Sequence, residues 1–193
     1  KTIDYGDTEV IVRINGLDSP HWQEDIRCVV AAGADGIRIA KCESAEDVKL
    51  VEKHVLEAEK EFRVEEGRTL LMEALESPKG ILNAYEIVTA SDRMFGYAIS
   101  GGDFRKSMHV QIEKGGIEML TARGNMLLAA RAAGVQCFDT MFPNVDDMEG
   151  FKEEVIQNCK MGFDGKMVDL PFFEDARRII ALAKACGVYQ GNL

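Results

Sequence analysis

The 193-residue chain is 46% hydrophobic and 29% charged, which suits one globular domain over residues 1–193 with a sizeable core. Its net charge of −10 argues against nucleic acid as the main partner, and no apolar run approaches membrane-spanning length. With no leader pattern and five cysteines (Cys28, Cys42, Cys137, Cys159 and Cys186) of which none forms a C-x-x-C pair, reduced thiols and a cytoplasmic location are expected. The acidity does not exclude an anionic substrate, because a local arginine and a metal ion can reverse the field inside a pocket.

Glu9–Ile14 is a β-branched run that ends in the turn signal Asn15-Gly16. Asp18-Ser19-Pro20 predicts a helix start, with the helix reaching Ala32 and stopping at Gly33. Gly36–Ala40 reads as a strand ending in Lys41-Cys42-Glu43. Ser44 and Asp47 then form a capping box for a long helix, with Val48, Val51, Val55, Ala58 and Phe62 at helical spacing and a stop at Gly67. Thr69–Leu75 is the next strand. It runs into Glu76-Ser77-Pro78, where Ser77 is an N-cap and Pro78 the first helical residue. One helix is expected through Ile81, Leu82, Tyr85 and Val88. Met94–Ile99 is a strand ending in Ser100-Gly101-Gly102-Asp103, and Phe104–Gly116 has no clear period. A helix from Met119 to Gly134, a strand over Val135–Phe138 ending in Asp139-Thr140, and a helix over Met148–Met161 follow. A last strand at Gly165–Val168, ending near Asp169-Leu170-Pro171, and a helix over Phe173–Cys186 complete the chain.

The repeating unit is helix, glycine cap, short strand and polar strand end, which implies right-handed βαβ crossovers and a parallel sheet. A closed (β/α)₈ barrel takes eight units and about 250 residues, so six units fall short by roughly two, or about 60 residues. By length, an open doubly wound sheet and a barrel lacking its first units fit equally well.

In a parallel α/β fold all strand C-termini share one face. Arg13, Lys41, Glu43, Glu76, Asp103 and Asp139 would therefore surround one cavity. Two acids with an arginine and a lysine suit a hard divalent metal and a carboxylate substrate, since Mg²⁺ takes one or two protein carboxylates and arginine grips a carboxylate as a fork. Each residue also has a structural reading: Glu76 on a helix dipole, Asp103 in a turn, Lys41 paired with Glu43, Asp139 capping or pairing at the rim. Arg13, inside an apolar strand, needs an acid or a ligand. Strand alternation turns Glu73 away from Glu76 and under the helices, where a buried structural ion pair is expected.

Val12-Arg13-Ile14-Asn15, Lys41-Cys42-Glu43-Ser44-Ala45-Glu46-Asp47, Glu76-Ser77-Pro78-Lys79-Gly80 and Gly101-Gly102-Asp103-Phe104 resemble the citrate lyase β-subunit family. So do Phe138-Asp139-Thr140 and Gly162-Phe163-Asp164-Gly165-Lys166, in the same order. The resemblance implies a (β/α)₈ barrel lacking its first two units in this chain. It also implies a Mg²⁺-dependent (alternatively Mn²⁺-dependent) carbon–carbon lyase that cleaves a citryl thioester to oxaloacetate and an acetyl thioester. Glu76 and Asp103 match the metal-binding acids, and Arg13 matches the arginine that holds the oxo-acid carboxylate. Lys41 joins Arg13 as a catalytic candidate; Glu43 and Asp139 join it for substrate binding. The implied partners are coenzyme A or an acyl carrier protein as thioester carrier, other citrate lyase subunits, and further copies of the chain, since open sheet edges invite pairing. Alternatives are a malyl- or citramalyl-thioester lyase, a 4-hydroxy-2-oxo-acid aldolase, and a non-catalytic assembly subunit.

Overall fold

The computed structural model describes residues 5–113, 115–144, 146–168 and 177. The strand end at Asp169-Leu170-Pro171 and, apart from Arg177, the helix expected over Phe173–Cys186 lie outside them. Six parallel strands form one sheet: β1 (Ile11–Arg13), β2 (Gly36–Ile39), β3 (Leu70–Leu75), β4 (Met94–Ile99), β5 (Gln136–Asp139) and β6 (Gly165–Lys166). Their spatial order is their sequence order. A doubly wound sheet needs a reversal of strand order to place helices on both faces. With right-handed crossovers and no reversal, every helix falls on one side and the sheet curls like part of a barrel. The topology therefore excludes the doubly wound alternative for the described strands.

The helices are α1 (Trp22–Ala32), α2 (Ala45–Phe62), α3 (Pro78–Leu82), α4 (Ala84–Val88), α5 (Gly101–Met108), α6 (Leu120–Ala133) and α7 (Met148–Met161). None among the described residues is long and apolar enough to cross a membrane. Gly33, Gly134 and Gly162 end three of them in the left-handed conformation, as their spacing predicts. The capping box is present: Ser44 Oγ accepts from the Asp47 amide (3.3 Å) and Asp47 accepts from the Ser44 amide (3.0 Å).

Four boundaries differ from expectation, each for a local reason. Ser19-Pro20 forms a turn, closed by the Ser19 amide on Gly16 O, and α1 begins only at Trp22. Helix α2 stops at Phe62, because the buried Glu59 carboxylate accepts the amides of Gly67 and Thr69 and a bidentate pair from Arg93 (2.7 and 2.9 Å). The Glu59 clamp pulls the chain out of the helix and into β3. The helix after Pro78 breaks at Asn83, whose side-chain amide reaches the Glu43 carbonyl (2.9 Å). The unassigned segment after Ser100 starts as α5, so Gly101-Gly102-Asp103 is a first helical turn rather than a loop.

The core lies between the helices and one face of the sheet. Ile37, Ile39, Leu71, Leu75, Tyr97 and Ile99 point to it and meet Ile26, Val30, Val51, Val55, Ile87 and Met126. Burying each such aliphatic side chain contributes about 1.5–3 kcal/mol, and Leu71→Ala, at a fully buried position, should cost about 2–5 kcal/mol. Alternation turns Arg38, Met72, Ala74, Gly96 and Ala98 to the opposite, inner face. Gly96 is required there: a Cβ would lie 2.7 Å from Gln136 O.

Candidate functional site

Four strand–helix junctions build a cavity of about 390 Å³ at the carboxyl ends of β1, β2, β3 and β4, lined by Asp18, Lys41, Glu43, Glu76, Ser77 and Asp103 among others. Glu76 immediately follows β3, and Ser77-Pro78 starts α3 at once, so the chain turns away and leaves Glu76 at the mouth. Ser77 Oγ accepts the Gly80 amide (3.2 Å) and donates to Glu43 (2.5 Å). Gly80 allows α3 to seat against the β2–α2 loop; a Cβ would stand 2.7 Å from Cys42 O. Asp103 sits in the first turn of α5, whose first amide, Gly101 N–H, is capped from a distance by Thr140 Oγ1 (3.0 Å).

The two acids at the mouth are unengaged. Glu76 is 7% exposed, Asp103 is exposed, and neither carboxylate has a hydrogen bond or ion pair among the described residues. Two free carboxylates on one cavity are a hard-oxygen donor set that fits Mg²⁺, which keeps its remaining positions for water or substrate. No cluster of three acidic, histidine or cysteine ligands exists among the described residues, so an all-protein cage is not the fit.

Lys41 follows β2 with φ +55°, a left-handed conformation unusual for a side-chain-bearing residue. Arg63 and His109 share it, but both cap helices. Lys41 pairs with Asp18 (3.2 Å), not with Glu43. Glu43 instead takes the Ser77 hydroxyl, with Lys79 at 3.3 Å. The Ser77 bond, against a small burial penalty and with help from Lys79, holds the Glu43 carboxyl below the usual carboxylate range.

Of the six expected residues, Lys41, Glu43, Glu76 and Asp103 are brought to this cavity. Arg13 is exposed on the inner face at the end of β1, outside the cavity lining and without an ion pair among the described residues. Asp139 takes the pairing role that was one of its two expected readings, and not the substrate-binding one. It is fully buried, with Arg123 on both oxygens (2.9 and 2.8 Å) and Lys166 at 2.8 Å, and Asn158 also donates to it. Glu154 completes the group through Arg123 (3.1 Å) and Lys166 (2.5 Å). Burial alone would raise the Asp139 pKa; the Arg123 and Lys166 charges outweigh it and hold the group ionised. A carboxylate saturated in this way has no free lone pair for a substrate, so Asp139 locks β5 to α6, α7 and β6.

Glu73 also differs from expectation. It does lie under the helices, fully buried, but neither oxygen has a hydrogen-bond partner among the described residues and no ion pair forms. Burial pushes its pKa up to about 8, with Asp47 adding to the rise and the neighbouring Cys42 thiol and Arg38 opposing it. Arg38 went unnoticed in the sequence. It occupies the middle of β2 on the inner face, in register with Arg13 and Met72. The signal was present: Arg38, like Arg13, interrupts an apolar strand.

Residues 1–171 match the HpcH/HpaI aldolase/citrate lyase family. Citrate lyase subunit beta of Leuconostoc mesenteroides subsp. cremoris is 46% identical over 171 residues, 89% of this chain and 57% of that protein. A (3S)-malyl-CoA thioesterase of Cereibacter sphaeroides is 33% identical over 89% of this chain and 56% of its own length. The chain thus spans a little over half the length of these curated relatives. Among solved structures, the citrate lyase beta subunit from Mycobacterium tuberculosis, complexed with oxaloacetate and magnesium, superposes with a TM-score of 0.69 at 23% identity. That match covers 83% of this chain and 67% of the other, a likeness of fold.

Proposed function

The chain belongs to the HpcH/HpaI aldolase/citrate lyase family, and from that premise we propose that it forms most of a citryl-thioester lyase that releases oxaloacetate and an acetyl thioester. The observation that carries this reading is the meeting of Glu76 and Asp103, both unengaged, with Lys41 and Glu43 on one cavity at the strand carboxyl ends. The strictly sequential strand order, together with relatives about one and a half times as long, supports reading the six units as units three to eight of a (β/α)₈ barrel.

Glu76 and Asp103 would hold Mg²⁺. Bound there, the ion supplies Lewis-acid polarisation of the substrate's hydroxyl oxygen and orients a carboxylate. In the reaction the hydroxyl loses its proton and becomes a ketone, and the adjacent carbon–carbon bond breaks. The electron pair passes to the thioester's α-carbon, giving an enolate that takes up a proton as the acetyl thioester. Arg13 binds the oxo-acid carboxylate, and the Lys41 ammonium stabilises negative charge developing at the rim. Glu43 orients Ser77 and the α3 start that borders the site. Coenzyme A or an acyl carrier protein would present the acyl group. The malyl-CoA thioesterase relative favours a shorter hydroxy-acyl thioester as the second reading.

The test is oxaloacetate release from citryl-CoA, followed with and without Mg²⁺ in the full-length protein. Metal-dependent release is expected. No oxaloacetate from citryl-CoA, with 2-oxo-acid release from malyl-CoA instead, would move the assignment to the second reading. No release from either thioester would overturn the lyase assignment.

A further inference from the structure

Helix α5 begins without a cap of its own. Ser100 stands at the N-cap position, yet its side chain makes no capping bond. The Gly101 amide is met instead from beyond the end of β5: Thr140 Oγ1, on a buried residue 39 positions further along the chain, accepts its hydrogen bond at 3.0 Å. That approach needs Gly101, because a Cβ there would stand 2.8 Å from Thr140 Oγ1 and 2.9 Å from its Cγ2. The neighbouring Gly102 faces open space, with nothing within 4 Å of its Cβ position. Only the first glycine of the pair is therefore demanded by packing. A serine cap from the helix itself satisfies first-turn amides without fixing where the helix sits, whereas a cap supplied by a distant strand end also fixes the distance to that strand.

What that distance controls is Asp103. It lies two residues beyond Gly101, about 200° round the helix at 3.6 residues per turn, so it faces away from Thr140 and lines the cavity with Glu76. Its carboxylate has no hydrogen bond or ion pair among the described residues, so the placing of α5 is what locates it. The helix is strung between two strands. On one side the Ser100 amide donates to the carbonyl of Leu75, the residue before Glu76 (2.9 Å), and Ser107 Oγ stands 3.4 Å from the Glu76 carbonyl. On the other side Thr140 holds Gly101 and is itself held, its carbonyl accepting from the Lys166 ammonium (2.6 Å). Mg²⁺ demands near-octahedral geometry at about 2.0–2.1 Å, so two carboxylates from different elements serve it only when those elements keep a fixed spacing.

We propose that Thr140 is a positioning residue for the metal: by holding the Gly101 amide it sets the span between Asp103 and Glu76. Thr140 itself lies outside the lining of that cavity. The proposal rests on the assignment of Mg²⁺ to the two acids and adds the residue that spaces them.

Calorimetric Mg²⁺ titration of the full-length protein and its variants tests it. Thr140→Val keeps the shape and removes the acceptor, and should weaken Mg²⁺ binding about 10- to 100-fold, the scale for losing an outer partner of a metal ligand. Thr140→Ser restores the acceptor and should return the affinity to within about threefold of wild type. Gly101→Ala, which drives α5 off Thr140, should weaken binding as Thr140→Val does, and it supplies the readout if that variant does not fold. Gly102→Ala should leave the affinity at the wild-type level. Wild-type Mg²⁺ affinity in Thr140→Val, even with a lowered Tm, would make Thr140 merely structural and overturn the proposal. Equal losses in the two Thr140 variants, or in the two glycine variants, would overturn it as well. A wild type that binds no Mg²⁺ overturns the metal assignment, and this proposal with it.

Discussion

Glu73 and Glu76 are three residues apart and live in opposite environments. Glu76 opens on a cavity with its carboxylate free of hydrogen bonds and ion pairs among the described residues, whereas Glu73 is sealed under α2 with neither oxygen hydrogen-bonded among them. The first invites a cation and the second keeps its proton. Glu76→Ala or Asp103→Ala should weaken Mg²⁺ binding by more than about 100-fold, read by calorimetry, with little change in Tm because neither carboxylate has a hydrogen bond or ion pair among the described residues to lose. Wild-type Mg²⁺ affinity in both variants would remove these residues from the metal site. The sign for Glu73 follows from its raised pKa. Unfolded, the carboxyl releases its proton near the ordinary value; folded, it holds on until about pH 8. Its stabilising effect is thus fully present below the unfolded pKa and is lost as pH rises through that window. Glu73→Gln should flatten stability between about pH 5 and 8 and make the protein more stable at pH 8 by the order of a few kcal/mol. An unchanged slope in the variant, measured by denaturant melts across that range, would show that Glu73 is ionised and paired in the folded protein.

Elements are joined here by buried charges as much as by apolar packing. The Glu59–Arg93 clamp turns α2 into β3, and Asp139 with Arg123, Lys166 and Glu154 ties β5 and β6 to α6 and α7. Removing one member leaves the others buried and uncompensated, a loss of about 3–5 kcal/mol. Asp139→Asn should therefore lower Tm sharply, while the folded fraction keeps its affinity for oxaloacetate. Unchanged Tm with weakened oxaloacetate binding would return Asp139 to the substrate site. The capping residues explain which boundaries were legible. Ser44 with Asp47, Ser77 with Pro78, and the glycines after α1, α6 and α7 are local signals and held to within a residue. The end of α2 and the break at Asn83 depend on Thr69, Arg93 and Glu43, which are distant in sequence, and periodicity carries no trace of such partners.

For the whole molecule, the described sheet has β1 and β6 at its edges. The Val10 and Ile14 amides bond towards β2, so alternation turns those of Ile11 and Arg13 to the outer side. If the sheet closes into a barrel in the full-length protein, these two amides should be protected from hydrogen exchange there and exchange freely in residues 1–193 alone. Free exchange in both would argue for an open sheet. The order of elements, the parallel sheet and the gathering of Lys41, Glu43, Glu76 and Asp103 at strand carboxyl ends were all determined by the sequence, because glycine caps, strand alternation and the one-faced rule of parallel α/β folds act locally or by topology alone. Three things only the tertiary structure decided: the sheet winds one way, Asp139 is consumed by Arg123 and Lys166, and Arg38 stands beside Arg13 with Nε and Nη2 lacking a hydrogen-bond partner among the described residues. Each turns on which strand lies next to which and which charges find counter-ions. Those relations are set by packing across many residues of sequence separation, and no local pattern encodes them.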